Sequence, residues 1–156
     1  MRRVAIWAVM VFALDQLSKW AVVQGLNLKE IGEYDLFDPI LVFRMAWNRG
    51  VNFGLFSTDK DAMRWILIAV ALAVSTWLVL WIRSERSRWA QISAGVLVGG
   101  AIGNVVDRLV YGAVADFLNM SCCGIENPFS FNLADVAIFA GAVGLMVFTG
   151  PRGKTP

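Results

Sequence analysis

Histidine is absent from the 156-residue sequence, and cysteine occurs only as the adjacent pair Cys122-Cys123. Without histidine there is no Ser-His-Asp triad and no HExxH zinc site. Adjacent cysteines rarely bond to each other, and no CxxC spacing or histidine accompanies them for a zinc site. Free thiols, a strained disulfide or lipid-facing side chains are the alternatives they leave. Charge is also sparse, with Asp, Glu, Lys and Arg making up 17% of the chain. No cluster calls for a metal or a cofactor. The net charge of +2 is no sign of nucleic acid, because the basic residues are better explained by membrane topology.

What is abundant is hydrocarbon. The chain is 58% hydrophobic with a mean hydropathy of +0.61, against about 45–50% apolar residues in a soluble domain, even counting glycine. A hydrocarbon core takes roughly 17–25 residues to cross, and four stretches are long enough: Val4–Val23, Ala62–Ile82, Ala90–Val110 and Phe131–Thr149. The remainder is mainly the segment Gln24–Asp61, with a shorter loop from Tyr111 to Ser130. The expectation is a single membrane domain over residues 1–156, an all-α integral membrane protein built as a four-transmembrane-helix bundle.

Arg2 and Arg3 precede the first span, Arg83, Arg86 and Arg88 fill the tight loop between the second and third, and Arg152 and Lys154 follow the last. Four spans put these segments on one side, which the positive-inside rule makes cytoplasmic. The opposite segment carries Glu30, Glu33, Asp35, Asp38, Asp59 and Asp61. Trp7, Trp81 and Trp89 near one interface and Trp20 and Trp65 near the other form aromatic belts. Both termini are expected inside. Arg2-Arg3 followed by Val4–Leu14 is like the start of a signal peptide. No small-residue cleavage site follows, however, and Asp15, Gln16 and Lys19 interrupt the second half, so a retained first helix is expected.

Within that helix Asp15 and Lys19 are four apart and share a face, acid before base. A buried pair that fixes helix packing and a functional charge are both open to them. In Gln24–Asp61, the run Ile40–Trp47 is β-branched and aromatic, with Asp38-Pro39 as a turn signal before it. It reads as a small sheet on the membrane surface. Asn48-Arg49-Gly50-Val51-Asn52-Phe53-Gly54-Leu55-Phe56 follows. Gly50 and Gly54 there allow unusual backbone angles, and Phe53 and Phe56 are placed to dip into lipid. In the third span Gly95, Gly99 and Gly103 recur every four residues and leave one face bare. The fourth repeats the device with Ala137 and Gly141, and with Ala140 and Gly144. Spans three and four are therefore expected to pack together. Their outer ends then bring Asn104, Arg108, Asp116, Asn132 and Asp135 toward one place.

Carboxylates beside hydrocarbon cost about 2.5–3.5 kcal/mol each at a helix centre, so Asp116 and Asp135 call for a reason. Asn132 and Asp135 could simply be a helix N-cap and a first-turn acid, but that leaves Asp116, Asn104 and Arg108 unexplained. Two carboxylates held close cannot both ionise cheaply, and the pair shares a proton. The charged member takes a proton from water while the neutral one donates to a carbonyl oxygen, the arrangement of aspartic proteases. Arg108 is expected to orient polar groups or bind substrate, since a cation against the pair would hold both acids ionised. Asp107, one residue round the helix from Arg108, is expected to cap or pair locally.

The motifs Asp15-Gln16-Leu17-Ser18-Lys19, Asn48-Arg49-Gly50-Val51-Asn52-Phe53-Gly54, Gly99–Arg108, Val114-Ala115-Asp116-Phe117 and Phe131-Asn132-Leu133-Ala134-Asp135 together resemble lipoprotein signal peptidase, the signal peptidase II family. The resemblance runs from the first span to the last. It implies a bacterial inner-membrane enzyme that cleaves the signal peptide from diacylglyceryl-modified prolipoproteins just before the lipidated cysteine. The cut falls at the outer face, beside a small extracytoplasmic β-cradle. Asp116 and Asp135 would be the catalytic dyad. Asn48, Gly50, Asn104, Arg108 and Asn132 would bind substrate, and Asp15 and Lys19 would support the architecture. The expected partners are the lipidated signal peptide and membrane lipid, with the enzyme a monomer. The segment around Cys122-Cys123-Gly124 is no part of the resemblance. The rival reading is a small proton-linked transporter or channel with an Asp/Arg relay. It needs polar residues through the bilayer depth, which the apolar cytoplasmic halves of spans two to four lack.

Overall fold

The computed structural model describes residues 1–37, 40–50, 60–121 and 127–149. Asp38-Pro39, Phe53, Phe56 and the cysteine pair lie outside the described residues, and with them the turn, lipid-contact and thiol expectations.

The chain is mostly helical. Helix α1 (Arg2–Lys19) runs on through one widened π-helical stretch, Trp20–Gly25, into a short helix α2 (Leu28–Ile31). Strands β1 (Glu33–Phe37) and β2 (Leu41–Asn48) follow, then α3 (Lys60–Trp81) and α4 (Arg88–Tyr111). Strand β3 (Val114–Asn119) and helix α5 (Leu133–Phe148) complete the order. Three of these helical stretches, Arg2–Gly25, Asp61–Ser84 and Arg88–Tyr111, are long and apolar enough to cross a membrane. The 16-residue α5 is apolar but shorter than the expected fourth span. Helix α4 starts on Ser87, whose hydroxyl accepts the Ala90 N–H at 3.3 Å.

The glycine ladder works differently from the expectation. Gly95 and Gly99 face α1: a Cβ on either would stand 2.6 Å from the Val4 carbonyl oxygen or 2.5 Å from that of Ala8. It is Gly100, on the adjoining face, that meets α5, where a Cβ would lie 2.5 Å from the Ala134 carbonyl oxygen. Spans three and four do pack closely, through Gly100 and through Gly141 against Leu97. The every-fourth stripe, however, serves spans three and one. Helix α4 is thus the central post, with α1 alongside in the same direction and α5 antiparallel. Helix α3 packs chiefly against α4. At one end, Val4, Leu78, Ile82, Ala90, Ala94 and Val98 form an apolar cluster.

At the other end the three strands form an antiparallel sheet in the order β1-β2-β3. The sheet expected near Ile40–Trp47 is present as β2. Its third strand comes from the segment Tyr111–Ser130, read above only as a loop. Gly112, at φ +74°, ends α4 and turns the chain straight into that strand. A second apolar cluster (Val22, Val23, Leu28, Ala115 and Phe117) binds the end of α1 to the sheet.

Candidate active site

Asp116 lies on β3 opposite Ala46 of β2 and is 2% exposed. Asp135 is the third residue of α5 and half-buried. They meet because the segment before α5 doubles back onto β3. Phe131 accepts the N–H groups of Phe117 and Leu118 at 3.0 and 2.8 Å and donates its own to Leu118 at 2.9 Å. Buried Asn119 holds the rest of that loop, donating to the carbonyls of Asn127 and Phe129 at 2.8 and 3.0 Å.

Asn132 is the hinge of the constellation. Its Oδ1 accepts the Asp135 N–H at 2.9 Å, and its own N–H reaches Asp135 Oδ2 at 3.3 Å, a reciprocal capping box. The same side chain then donates through Nδ2 to Asp116 Oδ1 at 2.6 Å. Asn132 is therefore a helix cap that also bonds Asp116, and one residue ties the two aspartates. Asn104, one helix away, donates to Asp135 Oδ1 at 2.8 Å and accepts from Asn132 at 3.3 Å.

Asn48 comes from the end of β2 and donates to the Asp116 carboxyl. Its Oδ1 accepts the Gly50 N–H at 3.0 Å, so Gly50 acts by turning Asn48 rather than by reaching the carboxylates. Gly50 adopts φ +102°, which favours glycine at that turn. Arg108 bonds the carbonyl oxygen of Asn104 at 3.2 Å and interacts electrostatically with Asp135, Asp107 and Asp116. Burial, then the neighbouring charge of Asp135, push the Asp116 carboxyl up to about 6, against hydrogen bonds from Asn48 and Asn132 that favour its charged form.

Asp15 and Lys19 form the expected pair, 2.8 Å apart and buried. The expectation for Asp107 needs correction. It makes no merely local contact but pairs with Lys19 of α1 at 2.7 Å and accepts the Ala115 N–H at 3.1 Å. Gln16, given no contact of its own beforehand, donates to Asp15 and to Asp107 at 3.1 Å each. A signal for Asp107 was available. It continues the stripe Gly95, Gly99, Gly103 by one more turn, so it faces α1 as they do. Asn119 had no such signal, because its partners are loop carbonyls.

Fold and site together define a small helical membrane protein with two linked carboxylates beside a three-stranded sheet. Residues 7–149 match the family model described as signal peptidase (SPase) II. The lipoprotein signal peptidase of Methylorubrum extorquens strain PA1 is 43% identical over 86% of this chain and 78% of its own length. That of Methylobacterium radiotolerans is 41% identical over 94% and 85%. Two solved structures of a bacterial membrane enzyme share the fold, with TM-scores of 0.77 and 0.78 at 22% identity. They cover all of this chain and 94% and 96% of theirs. The chain belongs to the signal peptidase II family, and it is a protease of that type.

Proposed function

We propose that the chain removes the signal peptide from diacylglyceryl-modified prolipoproteins, cutting just before the lipidated cysteine with Asp116 and Asp135 as its catalytic dyad. The observation that carries this is Asn132, which bonds Asp116 at 2.6 Å while capping the helix turn that holds Asp135. Asp116, buried and raised to about 6, is the member that holds the proton below that pH. Asp135, more exposed and receiving the Asn104 amide, is the base. It takes a proton from water as the water oxygen attacks the scissile carbonyl, and Asp116 gives its proton to the carbonyl oxygen. The C–N bond then breaks, Asp135 passing its proton to the leaving nitrogen while Asp116 takes one back from a hydroxyl of the intermediate. Asn48, Gly50, Asn104, Arg108 and Asn132 frame the peptide around that carbonyl.

Four spans with both termini in the cytoplasm give this site an extracytoplasmic location. The arginines before α1 and between α3 and α4 support that orientation. As the fourth span, α5 is about 24 Å long at 1.5 Å per residue, short of the roughly 30 Å hydrocarbon core. Its Asp135 end thus starts below the outer surface, where a lipidated helix would present its cleavage point. The apolar cluster at the opposite end of the bundle offers no proton relay inward, which counts against a transporter. The working unit is a monomer, its partners the lipidated signal peptide and surrounding lipid.

The test is cleavage of a purified diacylglyceryl prolipoprotein in detergent by wild type, Asp116→Asn and Asp135→Asn. Folded, inactive single variants support the dyad. Activity retained by either one overturns it.

A further inference from the structure

Behind the two aspartates lies a fully buried ion triad. Lys19 Nζ contacts Asp15 Oδ2 at 2.8 Å, Asp107 Oδ2 at 2.7 Å and Asn104 Oδ1 at 3.4 Å. An ammonium carries three protons, and all three are used. Each carboxylate of the triad also holds a backbone group. Asp15 Oδ1 accepts the N–H of Ala134 at 3.0 Å, and Asp107 Oδ2 accepts the N–H of Ala115 at 3.1 Å. Ala134 immediately precedes Asp135, and Ala115 immediately precedes Asp116. One lysine therefore joins two acids, each gripping the chain one residue before one aspartate of the dyad.

We propose that the Asp15–Lys19–Asp107 triad is a calliper that sets the separation of Asp116 and Asp135, with Asp107 as a positioning residue for the reaction. This rests on the dyad reading above and deepens it. Four elements meet at the triad. Helix α1 supplies Asp15 and Lys19, α4 supplies Asp107, and β3 and α5 are the segments gripped. A slide of α1 along α4 would move both grips, and sharing of one proton between carboxylates depends steeply on their distance. Lys19 also sets an orientation. Because it can only donate, Asn104 must present its oxygen there and turn its amide to Asp135. As mere cement the triad is a poor choice, since apolar residues often replace a buried ion cluster without loss of stability. Its geometric reach onto both backbones is what apolar residues cannot supply.

The experiment compares Asp107→Asn and Asp107→Glu with wild type, using a diacylglyceryl prolipoprotein in detergent and measuring kcat, KM, the pH profile of kcat and the unfolding midpoint. Asparagine removes the charge that meets Lys19, while glutamate keeps it and lengthens the arm. The charged groups facing the dyad are Asp15 and Lys19 from α1 and Asp107 and Arg108 from α4, so Asp107→Glu leaves the local charge unaltered. Both variants are expected to lose about 10- to 100-fold in kcat, with KM within about threefold of wild type. The limb of the pH profile belonging to the dyad should move by about half a unit or more, because its coupling depends on distance. Glutamate with wild-type kcat and pH profile overturns the calliper, as does a folded asparagine variant whose only change is a lower unfolding midpoint. If asparagine prevents folding, glutamate alone decides. Failure of the dyad reading is distinguishable: Asp116→Asn and Asp135→Asn would then be active, whereas failure of the calliper leaves those two dead and the Asp107 variants normal.

Discussion

The seam between α1 and α4 is built from different materials at its two ends. At one end Gly95 and Gly99 lie against the backbone carbonyls of Val4 and Ala8. At the other, on the same stripe, Lys19 sits between Asp15 and Asp107. The glycine end gains dispersion contacts from close approach, and such contacts carry little directional information. The charged end is directional, because each carboxylate oxygen and each ammonium proton has one place to go. Close packing brings the helices together. The polar end decides where along each other they stop, and hence where β3 and α5 meet.

Changes at the two ends should therefore separate chemistry from assembly. The largest effect belongs to Asp116→Asn and Asp135→Asn, which should lower cleavage of a lipidated prolipoprotein by about 10²–10⁴-fold in folded protein. Next is pH. The Asp116 carboxyl sits near 6 in the folded protein against an ordinary 3.8. Its raised value stabilises the fold below about pH 4, and that stabilisation is lost as the pH climbs through about 6. Relative to Asp116→Asn, wild type should lose about 1–3 kcal/mol between about pH 4 and pH 8. Unfolding of both proteins across pH measures this, and kcat/KM should fall along the same limb.

Gly99→Leu attacks the opposite end and should cost about 1–3 kcal/mol of stability through overpacking against Ala8. Cleavage per folded molecule should change far less, and a collapse of kcat there would erase the distinction between the two ends. Asn132→Ala joins cap and site. It should cost about 1 kcal/mol of stability as a lost N-cap together with at least about tenfold in kcat. Smallest of all is Trp77→Ala. This outward ring stacks on Trp81 at 6.0 Å and is 63% exposed on α3, so unfolding in detergent should shift by about 0.5 kcal/mol or less.

Much of this was legible beforehand because it depends on short-range pattern. Long apolar runs announce helices, an Ile-Leu-Val-Phe run announces a strand, and an Asn three residues before an Asp announces a capped helix start. Asp15 and Lys19 pair as their spacing implied. The misreadings were all non-local. The strand Val114–Asn119 pairs with β2, some 70 residues earlier, and six residues interrupted by an acid carry no pattern strong enough to reveal it. The glycine stripe revealed that a backbone would approach, but not whose. Asp107 was read as local because its partners, Lys19 and Ala115, come from α1 and β3.

By itself the sequence determined the membrane class, the approximate helices and which residues would be costly enough to need a purpose. Hydrophobicity and helical period are properties of a segment, readable without its neighbours. Only the tertiary structure decided that α4 stands between α1 and α5. It alone showed that Asn132 serves as helix cap and carboxylate bridge at once, and that one lysine connects the backbones before both aspartates. Those facts depend on directional polar contacts between distant segments, and direction is lost when a chain is written as a line.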